Sequence, residues 1–161
     1  MDFDDRRRAI ICDIDNTILD IRHRFHYLNG ENTDWDKFLS EDAIRQDVPM
    51  WDTVEVIGCL GKFYPIIFIT GRNEGTRKIT EEQISGLFKM TPLLNGKEIY
   101  MRTDGDYRQD IVIKKELYDK YVAPNYRIIA AFDDKPTVVE LWRNLGITTY
   151  HVGEIASGDG F

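Results

Sequence analysis

Four short, largely apolar runs of four or five residues stand out along the chain. Runs of this length fit β-strands, and buried parallel strands are apolar throughout rather than in alternation. Most of the runs lead directly into polar or glycine residues, as strands commonly do where they end. The pattern predicts four strands, over residues 9–12, 65–69, 128–132 and 148–152, with a weaker fifth strand over 98–102.

Between these runs, apolar residues recur at the spacing of one helix face. Gly61, Pro124 and Gly146 end three of the four patterns, and Pro136 suits the first turn of the last. The faces are formed by Val54, Ile57 and Leu60; by Ile84, Leu87 and Phe88, after an acidic start at Glu81 and Glu82; by Ile113, Leu117 and Tyr121; and by Val138, Leu141, Trp142 and Leu145.

Strands that alternate with helices predict an α/β fold in which helices cover both faces of a parallel sheet. The sequence contains no internal repeat and no Pro/Gly/Ser linker, so we expect residues 1–161 to form a single domain. Residues 22–50 are polar, aromatic and irregular, and we interpret them as a small insertion beside the end of the first strand.

The composition argues against a nucleic-acid scaffold and leaves an enzyme open. Apolar residues make up 42% and charged residues 30% of the chain, which is typical of a soluble globular protein. The net charge of −7 lacks the basic excess of proteins that grip nucleic acid. Two cysteines, no signal peptide and no long apolar segment indicate a reducing cytoplasmic setting without a membrane partner.

The residues that follow the predicted strands supply candidate chemistry. Ligands of open α/β sheets bind beyond the carboxyl ends of the strands, where side chains from separate segments meet. The first run is followed by two acids in alternation, the second by a hydroxyl, a glycine and a guanidinium, and the third by adjacent acids. These residues are Asp13 and Asp15; Thr70, Gly71 and Arg72; and Asp133 and Asp134.

Carboxylates that converge in this way repel one another unless a cation joins them, and hard oxygen ligands suit Mg²⁺. Of Asp13 and Asp15, one can be a nucleophile while the other acts as general acid and base. Phosphoryl transfer also needs positive charge around the moving group, which Arg72, Lys114 and the metal can provide, with a hydrogen bond from Thr70.

The sequence resembles the haloacid-dehalogenase (HAD) superfamily of phosphatases in four motifs: DIDNT, Thr70, Lys114 and the pair Asp133-Asp134. From about residue 8 to 161 it is similar to the phosphatase domains of T-even phage polynucleotide kinases, which remove 3′-phosphates from DNA or RNA ends. The likeness lies in ITGRNEGTR, YRQDIVIKKELYDKYVAPNY, FDDKPTVVELWRNLGI and SGDGF. It implies a HAD-like Rossmannoid three-layer sandwich with only a small cap insertion, and a place in nucleic acid end repair.

The same resemblance implies a role for each matched residue. Asp13 would form an aspartyl-phosphate, and Asp15 would protonate the leaving oxygen and then activate water. Thr70 and Lys114 would hold the phosphoryl group. The Mg²⁺ ligands would be the Asp13 carboxylate, the Asp15 main-chain oxygen and Asp134, with Asp133 in an outer position. The substrate site would be shaped by Arg72, Gly71, Asp110 and Arg24, although Arg22 lies close to Arg24 in sequence.

Two departures from the family pattern stand out. Asn16 occupies a position where the family usually has glycine, which puts the backbone turn there in question. The printed sequence contains no G-x-x-x-x-G-K-[ST] loop, so we expect a phosphatase without a kinase domain, in the host cytoplasm if a phage encodes it.

Three functions remain open from the sequence. The first is a 3′-phosphatase of DNA or RNA ends, reached through an open site and a groove containing Arg22, Arg24, Arg72, Arg102 and Arg108. The second is a phosphatase of small substrates such as nucleoside monophosphates. The third is a non-catalytic binding module on the same fold. The expected partner is thus a phosphorylated substrate, and the sequence says nothing of the oligomeric state.

Overall fold

The computed structural model describes residues 5–29, 33–89 and 97–153. The terminal SGDGF segment of the family likeness lies outside these residues. Within them, no helix is long and apolar enough to cross a membrane.

A five-stranded parallel sheet forms the centre of the protein, which confirms the predicted α/β architecture. All five predicted strands are present, each within a few residues of its expected bounds: β1 (Arg7–Cys12), β4 (Ile66–Asn73), β5 (Lys97–Arg102), β6 (Tyr126–Asp133) and β7 (Thr149–His151). Their order in the sheet is β5-β4-β1-β6-β7, so the first strand lies in the middle. A separate antiparallel pair is formed by β2 (Leu19–Asp20) and β3 (Val48–Pro49).

Two hydrophobic clusters cover the two faces of this sheet. Successive residues of a strand point to opposite faces, so Ile10 joins one cluster and Ile11 the other. The first cluster takes in α3 (Trp51–Gly61) and α4 (Arg77–Leu87), and the second takes in α6 (Pro136–Asn144) and the turn that follows α5 (Asp110–Leu117). The predicted three layers are therefore observed.

Two helices differ from their predicted form. The helix α4 begins at Arg77 rather than near Glu81, because its first turn is held by buried Ile79 and Thr80. The helix α5 continues into a π-helical turn over Tyr118–Val122, which carries the predicted pattern to just before Pro124.

The described part of the irregular segment, residues 22–29 and 33–50, forms short pieces. These are a 3₁₀ helix (Arg22–Tyr27), α1 (Trp35–Phe38), α2 (Glu41–Ile44) and the strand β3. The two helical turns begin at Asp34 and Ser40, whose side chains accept backbone N–H groups of Lys37 and Ala43. These turns bring Asp47 back toward the end of β1, where it contacts the residues described next.

Candidate active site

The carboxyl ends of β1 and β6 bring the predicted acids together. The two strands are joined there by the backbone N–H of Asp13, which donates to the carbonyl oxygen of Phe132 at 2.9 Å. Carboxylate oxygens of Asp13, Asp133 and Asp134 lie within 4.8 Å of one another. The Lys114 Nζ, on α5, lies 2.9 Å from Asp13 Oδ1 and 2.8 Å from Asp133 Oδ2.

The charges of this group are unbalanced. Three carboxylates face the single ammonium of Lys114. Burial, then Asp133 and Asp134, keep the pKa of Asp13 well above its ordinary value despite Lys114. Burial and Asp133 raise the pKa of Asp134 to about 6. Burial opposes the charge of Lys114, but Asp13 and Asp133 still raise its pKa.

A group of carboxylates with excess negative charge fits a divalent cation. The unbalanced negative charge and the raised pKa values of Asp13 and Asp134 are what a cation would relieve. Asp133 is already engaged, because its Oδ1 accepts the Lys135 backbone N–H at 3.1 Å and its Oδ2 accepts from Lys114. Asp13 and Asp134 are therefore better suited to direct ligation than Asp133.

The turn after β1 is made by Asn16 in the left-handed region, with φ of 56°. Asparagine tolerates this region better than other residues with a side chain, apart from glycine. Its side-chain Oδ1 also accepts the backbone N–H of Ile21 at 3.2 Å. The turn therefore forms without the glycine that is usual there, and it keeps Asp15 beside Asp13 at the strand end.

The end of β4 supplies Thr70, Gly71 and Arg72. Thr70 is buried, and its Oγ1 accepts the backbone N–H of Arg72 at 3.2 Å. A Cβ atom at Gly71 would lie 2.8 Å from Asp110 Oδ1, so glycine allows β4 and the start of α5 to approach. Thr70, Gly71 and Asp110 are thus brought to the same edge as the acids.

Asp110 binds two basic side chains at this edge. Its Oδ1 accepts from Arg102, and its Oδ2 accepts from Lys135 Nζ at 2.9 Å. Although burial opposes ionisation, Lys135, Lys114 and Arg102 together lower the pKa of Asp110. Lys135 was not predicted from the sequence, and its position directly after Asp134 was the available signal.

Arg24 and Arg72 lie behind Asp15, and both side chains are fully buried. Arg72 donates to Asp15 Oδ1 through Nε at 2.9 Å and through Nη2 at 2.6 Å. Arg24 Nη2 lies 3.3 Å from the same oxygen. Arg22, the neighbouring alternative, is exposed and pairs with Asp20 instead. The structure thus places Arg24 and Arg72 against Asp15, and direct substrate contact by either stays a prediction.

Asp47 joins the same group and was missed by sequence reasoning. Its carboxylate is fully buried and binds Arg24, Arg72 and His23. Nothing in its local sequence distinguishes it from the other acids of residues 22–50. Its pairing with Arg24 and Arg72 becomes visible only in the structure.

The expected positive groove is largely neutralised. Each of its five arginines is paired with at least one carboxylate: Arg22 with Asp20, Arg24 and Arg72 with Asp15 and Asp47, Arg102 with Asp110, and Arg108 with Asp106 and Glu116.

Known proteins resemble this chain in both sequence and structure. The sequence profile of the polynucleotide kinase PNKP phosphatase domain matches residues 7–159. A candidate bifunctional polynucleotide kinase/RNA ligase of Autographa californica nuclear polyhedrosis virus is 29% identical over 144 residues, which are 88% of this chain and 19% of that protein.

Solved structures show the same fold. A chain of the Pnkp1/Rnl/Hen1 RNA repair complex is 26% identical with a TM-score of 0.71, over 93% of this chain and 43% of that one. A haloacid dehalogenase-like hydrolase of Streptococcus pneumoniae is 18% identical with a TM-score of 0.56, over 93% and 88% of the two chains, and shows the fold alone. The chain thus spans about a fifth of the viral relative and under half of the repair protein.

Proposed function

Because the chain belongs to the polynucleotide kinase PNKP phosphatase domain family, we propose that it is a Mg²⁺-dependent phosphomonoesterase that removes 3′-phosphates from DNA or RNA ends. Membership supports phosphatase chemistry in general. The metal, the covalent intermediate and the substrate are the proposed parts.

The observation that carries the proposal is the position of Asp13. Its carboxylate lies at the strand end, 2.9 Å from Lys114 Nζ and beside two further acids. A nucleophilic carboxylate needs a neighbouring positive charge to receive an anionic phosphoryl group, and a preorganised cation supplies it without rearrangement. Lys114 and a bound divalent ion would provide that charge here.

In the first step, an Asp13 oxygen attacks phosphorus while the bond from phosphorus to the ester oxygen breaks. The proton of the Asp15 carboxyl group passes to that departing oxygen, which leaves as a hydroxyl. Asp15 is partly exposed and lies two positions after Asp13, so it can reach the departing oxygen. Lys114 and the Thr70 hydroxyl would hold the phosphoryl oxygens.

In the second step, Asp15, now ionised, takes a proton from water while the water oxygen attacks phosphorus. The bond from phosphorus to Asp13 breaks and phosphate leaves, which restores both carboxyl groups. A bound Mg²⁺, held by Asp13, Asp134 and the Asp15 main-chain oxygen, would supply Lewis-acid stabilisation of the phosphoryl charge.

A phosphatase of small nucleotides is the second candidate. The paired arginines and the net charge of −7 favour it, because both limit the grip on a polyanion. Membership in a polynucleotide phosphatase family favours the polymer end.

Release of inorganic phosphate from a 3′-phosphorylated oligonucleotide, a 5′-phosphorylated oligonucleotide and a nucleoside 3′-monophosphate separates these functions. We expect the 3′-phosphorylated oligonucleotide to give the highest kcat/KM. A preference for the mononucleotide of about tenfold, or 1.4 kcal/mol in transition-state binding, would establish the second candidate. Chelation of the metal should stop the reaction, and added Mg²⁺ should restore it.

A further inference from the structure

Asp47 forms a closed ring of hydrogen bonds with Asp15 and two arginines. Arg72 Nη2 lies 2.6 Å from Asp15 Oδ1 and 2.7 Å from Asp47 Oδ2. Arg24 Nη2 lies 3.3 Å from that Asp15 oxygen and 3.0 Å from that Asp47 oxygen. Two guanidinium nitrogens therefore bridge the same two carboxylate oxygens.

The ring is anchored on the Asp47 side. Asp47 Oδ1 also accepts from Arg24 Nε at 2.8 Å, and its side chain is fully buried. A buried guanidinium without a carboxylate partner is costly, so Asp47 is a main reason why both arginines can lie here. Asp15 is 22% exposed and therefore forms the part of the ring that faces the open side.

The outer ends of the guanidinium groups are held by neutral groups. Arg24 Nη1 donates to the carbonyl oxygen of Phe38 at 2.8 Å, and Arg72 Nη1 donates to Gln83 Oε1 at 2.7 Å. These bonds fix the planes of the two cations. With the planes fixed, the ring holds one chosen oxygen of Asp15, Oδ1.

We propose that Asp47 is a positioning residue for the reaction: it holds Arg24 and Arg72 so that they fix Asp15 Oδ1 and leave Oδ2 to carry the transferred proton. A carboxyl oxygen surrounded by guanidinium N–H donors is a poor site for a proton, so the proton belongs on the other oxygen. This inference rests on the proposed function, in which Asp15 protonates the leaving oxygen.

A positioning role predicts a dependence on the leaving group. A sugar 3′-alkoxide is strongly basic and needs the proton from Asp15, whereas a dinitrophenolate is weakly basic and leaves without it. Loss of Asp47 should therefore slow the release of the sugar far more than the release of the phenolate. A general loss of folded protein would lower both equally.

The experiment compares kcat/KM of Asp47→Asn for a 3′-phosphorylated oligonucleotide and for 2,4-dinitrophenyl phosphate, since kcat/KM reports the steps through departure of the leaving group. We expect a fall of about 100-fold or more for the first substrate and less than about fivefold for the second. Asp15→Asn should show the same split and provides the reference.

Glu98→Gln is the matched control. It makes the same change from carboxylate to amide near the start of β5, where Glu98 accepts from the hydroxyls of Tyr100 and Tyr126. It should affect stability and leave the ratio of the two kcat/KM values unchanged. If Asp47→Asn does not fold by circular dichroism, Asp47→Glu, which keeps the charge and moves it by one methylene, carries the same test.

Equal falls for both substrates, or no fall for either, in a folded Asp47 variant would overturn the inference while the phosphatase assignment stands. A wild-type protein that hydrolyses neither substrate with Mg²⁺ present would instead overturn the proposed function.

Discussion

The side chain of Asp13 lies in surroundings that differ strongly from those of a carboxyl group in water. It is buried, and two other carboxylates lie close to it, so its pKa is raised even though Lys114 favours the ionised form. In the proposed mechanism, this arrangement would give a nucleophile that is poorly solvated and already next to the positive charge of Lys114. The same features explain why its replacement should affect chemistry more than folding.

We expect Asp13→Asn to abolish turnover while the protein remains folded. The amide has nearly the same shape, and it relieves repulsion from Asp133 and Asp134 while it loses the ion pair with Lys114. Removal of a nucleophile elsewhere costs about 10⁶ in kcat, so a loss of roughly 10⁵ or more is expected in a phosphate-release assay. Activity within about tenfold of wild type in a protein with unchanged circular dichroism would contradict the covalent mechanism.

Asp134→Asn should stabilise the metal-free protein. The pKa of Asp134 is raised from 3.8 to about 6, so its ionised form disfavours folding, and stability falls as the pH rises between these values. At neutral pH the free energy of unfolding of the variant should therefore be about 1 to 3 kcal/mol higher than that of wild type. The difference should vanish near pH 4.

Urea unfolding with and without Mg²⁺ measures this difference. Mg²⁺ should stabilise wild type by mass action and have little effect on the variant. A metal-free variant that is less stable than wild type at neutral pH would show that Asp134 is held by favourable contacts instead.

At this scale, the apolar runs identified acids that directly follow strands, and the family resemblance supplied Lys114, Asp110 and Arg24, but neither identified Asp47 or Lys135. Asp13 and Asp134 are marked by the apolar runs before them, and parallel strands must end at a common edge. Asp47 comes from an irregular segment whose path depends on two helical turns. Its role arises from contacts with Arg24 and Arg72, which no local pattern encodes.

At the scale of elements, the turn after β1 depends on one residue with positive φ, Asn16. Asn16→Ala should destabilise the protein by about 1 kcal/mol more than Asn16→Gly, because alanine pays for the left-handed backbone and glycine does not. Both variants lose the hydrogen bond to Ile21, so their difference isolates the backbone effect. Equal stabilities in denaturant unfolding would show that the turn relaxes to another conformation.

The contact between the end of β4 and the start of α5 depends on Gly71. Gly71→Ala would press a methyl group against Asp110 Oδ1, a carboxylate already pinned by Arg102 and Lys135. We expect kcat/KM to fall by about tenfold, which corresponds to roughly 1.4 kcal/mol.

Gly86→Ala is the control, because a Cβ there meets nothing within 4 Å. Within helix α4 it should raise stability by about 0.5 to 1 kcal/mol and leave kcat/KM unchanged. If Gly71→Ala also leaves kcat/KM unchanged, the carboxylate of Asp110 can move without consequence for catalysis.

The early start of α4 shows why element bounds are harder to predict than element types. Thr80 lies on the buried side of this helix, and Gln83 lies one turn further on. Arg72 Nη1 donates to the side-chain oxygens of both residues. A search for apolar periodicity overlooks such positions. Thr80 and Gln83 are explained by their hydrogen bonds to buried Arg72 of β4, and only the tertiary structure brings these residues together.

Across the whole molecule, negative charge predominates and the arginines of the edge are paired. A polynucleotide end would therefore gain few phosphate contacts, and we expect kcat/KM for the oligonucleotide to depend weakly on salt. The slope of log kcat/KM against log salt concentration should lie between about −1 and −2. A slope steeper than about −4 would show that the arginines exchange their carboxylate partners for backbone phosphates.

The central place of β1 also affects how the protein is made. Its two partners, β4 and β6, lie tens of residues and more than a hundred residues further along the chain. Contacts so distant in sequence form slowly, since a long loop must close before they stabilise anything. The ribosome must therefore release β6 before β1 is paired on both sides, and until then the apolar residues of β1 are open to aggregation.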